Sequence, residues 1–360
     1  MIYCLEMEPF FSIIVPCCDV EPYLRACLDS VLAQPFADWE CLLGVEDSKD
    51  GTEALARAYA ARDARFRVFT GPRSGSCSAA RNLGIDHAHG QYVIFLDGDD
   101  TITEGSLQRL HDRIAARPGA DLYPCAMRVR NETTGADEPT RDNYPAEFTG
   151  ELTGPDATIF LERRCLNPCP MLQLTVFRRA FLVAHGLKCI PGLRNQDSEF
   201  SPRALYFARR VVPLHEPFYV YRIRTGSVQT LARGKGYFYR DWTVILKSLF
   251  AFHAQVAREP GFDPRLSDCW ARAWLTILQL KWFSRDFVRT VPRAERVRSL
   301  QQMFDGGFGD LNALLASASR ARRLAGWWIR AFVTCPLARP FAEAFFTRLY
   351  FPLVARRNGR

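Results

Sequence analysis

Three aspartates around a single glycine form the stretch of the chain whose spacing most clearly points to chemistry. Asp97, Asp99 and Asp100 follow the apolar run Tyr92–Leu96, and Gly98 lies between the first two aspartates. The run has the composition of a strand that is buried on both faces. Open α/β sheets bind ligands beyond the carboxyl ends of their strands, so these carboxylates stand where a ligand is expected.

Carboxylates this close repel one another unless a cation or hydrogen-bond donors compensate. A Mg²⁺ or Mn²⁺ ion bound by one or two carboxylates and by diphosphate oxygens would do so. A second interpretation is a polar turn that caps the following helix through Thr103 or Asp100. An isolated pattern of this kind favours neither interpretation. A calcium loop of the EF-hand type fits the sequence poorly, because Thr101 and Ile102 stand where a ligand and the turn glycine belong.

Strands and helices alternate along the first part of the chain, and they must position these carboxylates. Apolar strands are predicted at Ser12–Val15, Trp39–Val45, Phe66–Thr70, Tyr92–Leu96, Asp121–Val129, Leu172–Phe177, Val211–Leu214 and Tyr219–Arg224. Helices are predicted at Glu21–Ala33, Glu53–Ala61, Ser78–His89, Glu104–Arg117, Thr153–Arg164 and Arg178–His185, and another opens from the polar turn Gly192–Phe200. The alternation predicts an α/β fold with a mostly parallel sheet and helices on both faces.

Some local features refine this arrangement. Gly90 is expected as the C′ residue of the third helix, and Gly186 as the end of the sixth. Thr153 is expected to cap the fifth helix. The polar segment 131–150 is expected to form an excursion at the edge of the sheet.

The character of the chain changes near Arg233, which predicts two domains, residues 10–232 and 233–360. Apolar residues recur at helical spacing from Trp242 to Val256 and again from Leu266 to Ile277. Shorter helical segments follow. The second domain is therefore expected to be a helical extension.

Composition describes a globular chain of 360 residues, with 48% hydrophobic and 24% charged residues. The formal net charge is +8 and arginines crowd the C-terminal part, which predicts an anionic partner for that part.

Met1–Pro9 does not have the composition of a signal peptide, and no window reaches the roughly 18 apolar residues of a membrane span. The spacing of the twelve cysteines fits neither zinc nor a disulfide framework, so buried reduced thiols in a cytoplasmic protein are expected.

Five motifs occur in an order that resembles the family 2 glycosyltransferases of the GT-A fold, over about residues 10–230. They are FSIIVPCCD (11–19), WECLLGVEDSKDGT (39–52), SCSAARNLGI (76–85), YVIFLDGDD (92–100), and GLRNQDSEF with YRIRTGS (192–200 and 221–227). The resemblance implies a Rossmann-like sheet and a nucleotide-diphosphate sugar donor, most often a UDP-sugar. It also implies a divalent cation, Mn²⁺ or Mg²⁺, and transfer of the sugar with inversion to an acceptor hydroxyl of a polysaccharide or glycolipid.

The resemblance also implies roles for residues on the nucleotide side of the site. Pro16 and Asp19 lie where the nucleotide base would lie, and Glu46 matches the acid that contacts uracil. The family's first acid of that pair is Val45 here, and the following glycine is Asp47, so this turn must differ. Arg81 is suited to neutralise nucleotide or phosphate oxygens, although a surface arginine is the alternative.

The remaining roles lie nearer the reaction. Asp97 and Gly98 belong to the donor site, and Asp97 contacts the ribose or the metal, while Asp99 is the metal-binding acid. Asp197 matches the catalytic base, although its usual glutamate partner is Gln196; the alternative is a carboxylate placed at a helix N-terminus by the dipole. Arg224, with Arg222 and Ser227, resembles a loop that closes over the diphosphate, and solvated arginines remain an equal alternative.

Two other functions compete with transfer. Val45, Asp47 and Gln196 are departures that suit a nucleotide-sugar-binding module without turnover, while Asp97, Asp99 and Asp197 argue for activity. A sugar-phosphate nucleotidyltransferase is excluded, because the segment after the first strand has no glycine-rich loop.

Residues 320–357 combine aromatic side chains and arginines with a single acid, Glu343. This composition suits a helix that lies in the headgroup plane of an anionic membrane, and packing on another part of the protein is the alternative. A lipid-linked or glycan acceptor would place the protein in the cytoplasm, at the inner face of the membrane. No nucleic-acid partner is expected.

Overall fold

The computed structural model describes residues 8–132, 134, 136–141, 144–164, 171–224, 238–283, 285–316 and 318–350. Within these ranges the chain forms two compact units, one of residues 8–164 and 171–224 and one of residues 238–350. The predicted boundary near Arg233, and the predicted role of Ser227, fall outside the described residues.

The main sheet of the first unit has six strands in the order β3-β2-β1-β4-β9-β6. These strands are β1 (Phe11–Cys17), β2 (Trp39–Glu46), β3 (Phe66–Gly71), β4 (Tyr92–Phe95), β6 (Leu122–Pro124) and β9 (Thr175–Arg178). The first four are parallel, with Ile13 opposite both Cys41 and Ile94. β9 pairs antiparallel with both β4 and β6. The predicted α/β fold with a mostly parallel sheet is confirmed.

Helices cover both faces of this sheet. They are α1 (Glu21–Leu32), α2 (Thr52–Arg62), α3 (Ser78–His87), α4 (Ser106–Ala116), α5 (Gly154–Arg164), α6 (Arg179–Ala184) and α7 (Asp197–Phe207). Alternation along β1 sends Ile13 and Val15 into a core with α1, α2 and α4, and sends Ile14 into a second core with α3, α5 and α7.

A second sheet, which the sequence did not predict, has four strands in the order β5-β10-β7-β8. They are β5 (Thr101–Ile102), β7 (Ala126–Asn131), β8 (Ala136–Arg141) and β10 (Pro217–Ile223). β8 lies in the polar segment expected to be an excursion, and it pairs antiparallel with β7. β5 begins one residue after Asp100, so the aspartate cluster lies where the chain passes from one sheet to the other.

Several local predictions were wrong in detail. The strand predicted at Asp121–Val129 is two strands, β6 and β7, separated at Cys125 where the chain changes sheets. Val211–Leu214 is buried and runs beside β6, where the N–H groups of Val212 and Leu214 donate to the Leu122 and Pro124 carbonyls. Only Val211 forms bridges, to Leu122 and Leu152, so the run is not a full strand of the sheet.

Gly90 is not a left-handed C′ residue, because α3 already ends at His87. A Cβ on Gly90 would lie 2.5 Å from the Ser12 backbone nitrogen, so close approach to β1 requires glycine there. By contrast, Gly186 has φ +56° beyond α6, as expected. The Thr153 hydroxyl accepts the Asp156 N–H at 3.2 Å and donates to its carboxylate, which confirms the cap of α5.

The second unit is helical in its described part, as expected. Its helices are α8 (Phe238–Val256), α9 (Pro264–Phe283), α10 (Arg285–Thr290), α11 (Arg293–Met303), α12 (Gly309–Leu315), α13 (Arg320–Thr334) and α14 (Arg339–Ala344), followed by a π-helical turn at Phe345–Tyr350. Stacked rings of Trp270 and Trp274, 5.1 Å apart, belong to its core. No helix in the described part of the chain is both long and apolar enough to cross a membrane.

Most of the described cysteines are buried, and Cys335 is exposed.

Candidate active site

The carboxyl ends of β1 and β4 meet at the point where the strand order of the main sheet reverses. β2 and β3 lie to one side of β1, while β4 lies to the other. Open α/β sheets bind ligands at such a switch point. A Cβ on Gly98 would stand 3.0 Å from the Pro16 carbonyl oxygen, so glycine allows the two strand ends to approach this closely. Pro16, Gly98 and Asp97 therefore share one end of the sheet.

Asp97 is held by two side chains from different elements. The buried Arg81 of α3 donates from Nη2 to Oδ1 of Asp97, and Gln173 Nε2 donates to Oδ2 at 2.7 Å. α3 lies directly on the sheet, since a Cβ on Gly84 would come 2.3 Å from Ile14. This close packing brings the Arg81 guanidinium to the end of β4. Arg81 is thus a buried cation in the site and not a surface arginine.

Asp197 is the first residue of α7, and it lies within electrostatic range of both Arg81 and Asp97. Burial raises the pKa of Asp197 to about 6; the Arg81 guanidinium opposes the rise and the Asp97 carboxylate adds to it. A carboxyl group with this pKa is a carboxylate at neutral pH and holds a proton better than an ordinary aspartate does. These are the properties of a general base.

The turn before α7 is fixed to α3 by side-chain hydrogen bonds. The Asn82 amide group bonds both the backbone oxygen and the backbone N–H of Cys189, each at 2.8 Å. Gln196 Nε2 donates to Cys77 Sγ at 2.8 Å. Gln196, which stands where the family has glutamate, therefore serves to position the residue that follows it, Asp197.

Glu199 lies two residues after Asp197 and is the other carboxylate at the start of α7. The structure places the Glu199 carboxylate in the interior, where Arg203 donates to both of its oxygens at 2.7 and 2.8 Å. A buried carboxylate with both oxygens engaged by a guanidinium has no free oxygen facing an acceptor hydroxyl. Asp197 is consequently the better candidate of the two.

Asp99 is partly exposed and pairs with Arg224, which immediately follows β10. Arg224 donates from Nε and Nη2 to Asp99 Oδ2 at 3.0 and 2.7 Å. The same guanidinium lies 4.5 Å from the ring centroid of Tyr23 on α1. The family resemblance predicted that Arg224 contacts the donor diphosphate. In the structure Arg224 lies at the aspartate cluster.

The aspartates fit a cation that takes most of its ligands from a bound diphosphate. Among the described residues no group of three or more acidic, histidine or cysteine side chains is arranged to hold a metal. Asp99 uses Oδ2 for Arg224, whereas its Oδ1 accepts no bond within the described part of the chain. Each Asp97 oxygen accepts one bond and retains a further lone pair. One or two carboxylates with phosphate oxygens are the ligands that Mg²⁺ prefers.

Asp100 has a structural role. Its buried carboxylate accepts the Tyr219 hydroxyl at 2.5 Å and the Arg222 backbone N–H at 2.8 Å. Burial raises its pKa well above the usual range, and Asp99 and Asp97 add to the effect. Asp100 therefore joins the aspartate cluster to β10. It is not the cap of α4, whose first turn has no side-chain cap.

Asp19 and Glu46 lie at the ends of β1 and β2, where the nucleotide base was expected. Asp19, at φ +50°, accepts hydrogen bonds from Arg73 and from the Lys49 N–H, and these bonds lower its pKa. The buried Glu46 accepts the Ser74 N–H and hydroxyl at 2.9 and 2.6 Å. Both carboxylates thus shape the loops that border the strand ends.

Sequence reasoning missed Gln173, Tyr219, Tyr23 and Arg73. Gln173 lies on a 3₁₀ turn, Leu172–Leu174, within a segment predicted as strand, so no pattern marked it. Tyr219 carried a signal, because it was predicted to begin the strand Tyr219–Arg224.

Comparison with known proteins agrees with this geometry. Residues 12–182 match the family model described as "Glycosyl transferase family 2". The uncharacterized glycosyltransferase EpsJ of Bacillus subtilis is 34% identical over 62% of this chain, and the chain spans 63% of that relative's length. The O-antigen biosynthesis protein RfbC of Myxococcus xanthus is 35% identical over 64% of this chain and 17% of its own length.

A likeness to solved structures extends over most of the chain. The crystal structure of S. aureus TarS in complex with UDP-GlcNAc superposes with a TM-score of 0.70 at 18% identity, covering 93% of this chain and 91% of that one. At this identity the likeness concerns the fold. It agrees with a GT-A sheet and a helical C-terminal region.

Proposed function

We propose that this protein transfers a sugar, with inversion, from a nucleotide-diphosphate donor to an acceptor hydroxyl, and the match of residues 12–182 to the family 2 glycosyltransferase model supports the proposal. One observation carries the proposal. Asp97, Arg81 and Asp197, which are far apart in sequence, interact at the carboxyl ends of β1 and β4. This is a ligand site that contains a buried cation and a carboxyl group with a raised pKa.

The Asp197 carboxylate acts as the general base. As the acceptor oxygen attacks the anomeric carbon, its proton moves to Asp197, and the bond between that carbon and the diphosphate oxygen breaks. Attack from the face opposite the leaving group inverts the anomeric configuration. One carboxylate suffices, because the departing diphosphate needs charge stabilisation and no proton.

The donor lies across the ends of β1 and β4, with the nucleotide toward Pro16, Asp19 and Glu46. Arg81 supplies a fixed positive charge beside Asp97. The buried Gln173 Oε1 accepts no hydrogen bond within the described part of the chain, so a ribose or sugar hydroxyl of the donor can donate to it. The diphosphate lies toward Asp99 and Arg224. A Mn²⁺ or Mg²⁺ ion bound by Asp99, with Asp97 in contact, would stabilise the charge of the leaving group.

A UDP-sugar is the first donor to test. The fold agrees with that of S. aureus TarS, whose structure was solved with UDP-GlcNAc. The departures at Val45 and Asp47 affect the turn where the base would lie, so other nucleotides belong in the same panel. The acceptor is a glycan or a lipid-linked glycan, as the O-antigen role in the name of RfbC suggests.

The second unit presents a surface suited to an anionic membrane. Four large apolar side chains between residues 320 and 345 are exposed by 49 to 84%: Leu324, Trp327, Leu337 and Phe341. Glu343 is the only acid of this segment, and it is buried, where Arg293 and Arg296 donate to its carboxylate. The exposed charges that this segment itself contributes, such as Arg320 and Arg323, are therefore positive, while Asp268 of α9 pairs with Arg322.

Aromatic and basic side chains on one segment favour insertion at a headgroup layer. Each basic residue near an anionic surface adds about 1 kcal/mol of binding free energy. We therefore place the protein at the cytoplasmic face of a membrane, where it shares a surface with a lipid-linked acceptor.

The test is release of free nucleotide diphosphate from a panel of nucleotide sugars with Mn²⁺, in the presence of a lipid extract that contains acceptors. We expect release to depend on acceptor and to fall in Asp197→Asn. Binding of a donor without release under all these conditions would support the alternative, a nucleotide-sugar-binding module without turnover.

A further inference from the structure

A groove of about 490 Å³ lies on one face of the second sheet. β7 and β10 form its floor, where Arg128 lies opposite Val220 and Arg130 lies opposite Arg222. Directly opposed residues of neighbouring strands point to the same face, so the three arginines share it. All parts of the groove belong to the first unit.

The positive charge of this groove is incompletely compensated. Three arginines stand against Glu104 and Glu132 in its lining. Glu132 lies 3.9 Å from Arg130 and 3.8 Å from Arg222, and both distances exceed the hydrogen-bond range.

The surroundings of Arg222 indicate most clearly what kind of ligand the groove would bind. Its side chain is only 11% exposed, yet its guanidinium makes no hydrogen bond within the described part of the chain. Its one carboxylate neighbour there, Glu132, is 3.8 Å away, so this ion pair replaces only part of the hydration that the guanidinium has lost. A bound anion with two oxygens would match the fork of guanidinium donors and replace the rest.

The groove leads toward the candidate active site. Ala26 of α1 contributes to its lining, and Tyr23, one turn earlier on the same helix, lies under the guanidinium of Arg224. Arg224 in turn holds Asp99. A ligand that fills the groove and continues along α1 therefore reaches the aspartate cluster.

We propose that this groove, lined by Arg128, Arg130 and Arg222, binds an anionic group of the acceptor glycan, a phosphodiester or a uronate. The group anchors the acceptor chain while one of its hydroxyls enters the site near Asp197. This inference rests on the proposed function, since it assigns the groove to the acceptor. A neutral glycan would leave the Arg222 guanidinium largely desolvated, with only the Glu132 carboxylate, among the described residues, at 3.8 Å as a counter-charge.

The test measures equilibrium binding of three probes of equal length to the full chain: a glycerol-phosphate oligomer, an oligogalacturonate and a neutral oligoglucan. The variants are Arg222→Gln and the double variant Arg128→Gln with Arg130→Gln, whose two side chains are exposed and tolerate replacement. Arg57→Gln is the control, because Arg57 is an equally exposed arginine on α2 and pairs with Glu53.

We expect at least one anionic oligomer to bind about tenfold more tightly than the neutral one, and Arg222→Gln to weaken that binding by about tenfold. The double variant should weaken it at least as much, and Arg57→Gln should not change it. Preference between the two anionic probes identifies the group. Donor binding, measured separately, should be equal in the unaltered chain, in the double variant and in Arg57→Gln.

Equal binding of neutral and anionic oligomers would overturn the proposal, as would groove variants that bind like the unaltered chain. Equal loss in Arg57→Gln would show a general effect of charge and would also overturn it. If instead the proposed function is wrong, the result differs from these: no nucleotide sugar binds to the protein, while the groove still binds anionic oligomers more tightly than neutral ones.

Discussion

The substitution Asp197→Asn separates the catalytic role of this carboxyl group from its effect on stability. Burial raises the pKa of Asp197 to about 6, whereas an aspartate in an unfolded chain has a pKa of about 3.9. Two pKa units correspond to roughly 3 kcal/mol, and partial exposure of the side chain reduces the expected effect to about 1–2 kcal/mol.

Proton binding determines whether the folded protein gains or loses stability as the pH rises. Since the folded state binds the proton more tightly than the unfolded state, the free energy of unfolding falls as pH rises from about 4 to about 6, and it stays lower above that range. Asparagine has no charge to desolvate. We therefore expect Asp197→Asn to be more stable than the unaltered protein by about 1–2 kcal/mol at pH 8, and the difference to be smallest near pH 4.

Urea unfolding at pH 4 and pH 8 measures this difference, and calorimetry and transfer assays on the same samples measure donor binding and kcat. Donor binding should persist, while kcat should fall by about 10²–10⁴-fold, the usual contribution of a general base. Asp38→Asn is the control, because Asp38 is an exposed aspartate on the loop before β2. A variant less stable than the parent at pH 8, or one with normal kcat, would refute the reasoning.

Three further predictions follow from the site and from the second unit. The kcat/KM for transfer should rise with pH and level off above about 6, since burial raises the pKa of Asp197 to about 6 and the base must be ionised; a flat profile from pH 4.5 to 8 contradicts this role. Asp99→Ala should lose both cation dependence and most turnover, whereas full activity in excess EDTA would exclude a required metal. Replacing Trp327 and Phe341 by alanine should abolish flotation with anionic liposomes at low salt, while Leu280→Ala, an exposed leucine on α9, should not; equal flotation of both variants contradicts membrane docking.

Much of the arrangement around the aspartates followed from the sequence. Alternating apolar strands and amphipathic helices predict a parallel sheet, and the strands of such a sheet place their carboxyl ends at one edge. For this reason Asp97 and Arg81, although they follow different strands, could be expected to lie near each other. Asp197 required the family motif, because a carboxylate at a helix N-terminus has no distinctive spacing of its own.

The partners of these residues could not be predicted, because they depend on contacts between distant segments. Gln173 and Tyr219 reach Asp97 from a 3₁₀ turn and from the second sheet. That sheet was missed because β5 has only two residues, and because β8, with the sequence ADEPTR, is polar and contains proline. The prediction that Gly90 ends α3 was wrong for a related reason. Glycine is required there because the backbone of β1 passes too close to residue 90 for a side chain.

The most direct test of the central claim is calorimetric titration of UDP and UDP-sugars with Mn²⁺ into the protein and into Asp97→Asn. The claim is that the ends of β1 and β4 bind a nucleotide-diphosphate sugar. We expect one donor per chain, and we expect Asp97→Asn to weaken its binding by about tenfold or more, because the Arg81 guanidinium loses its charged partner and the donor loses a carboxylate contact. Binding that is unchanged in Asp97→Asn would place the donor elsewhere and contradict the account.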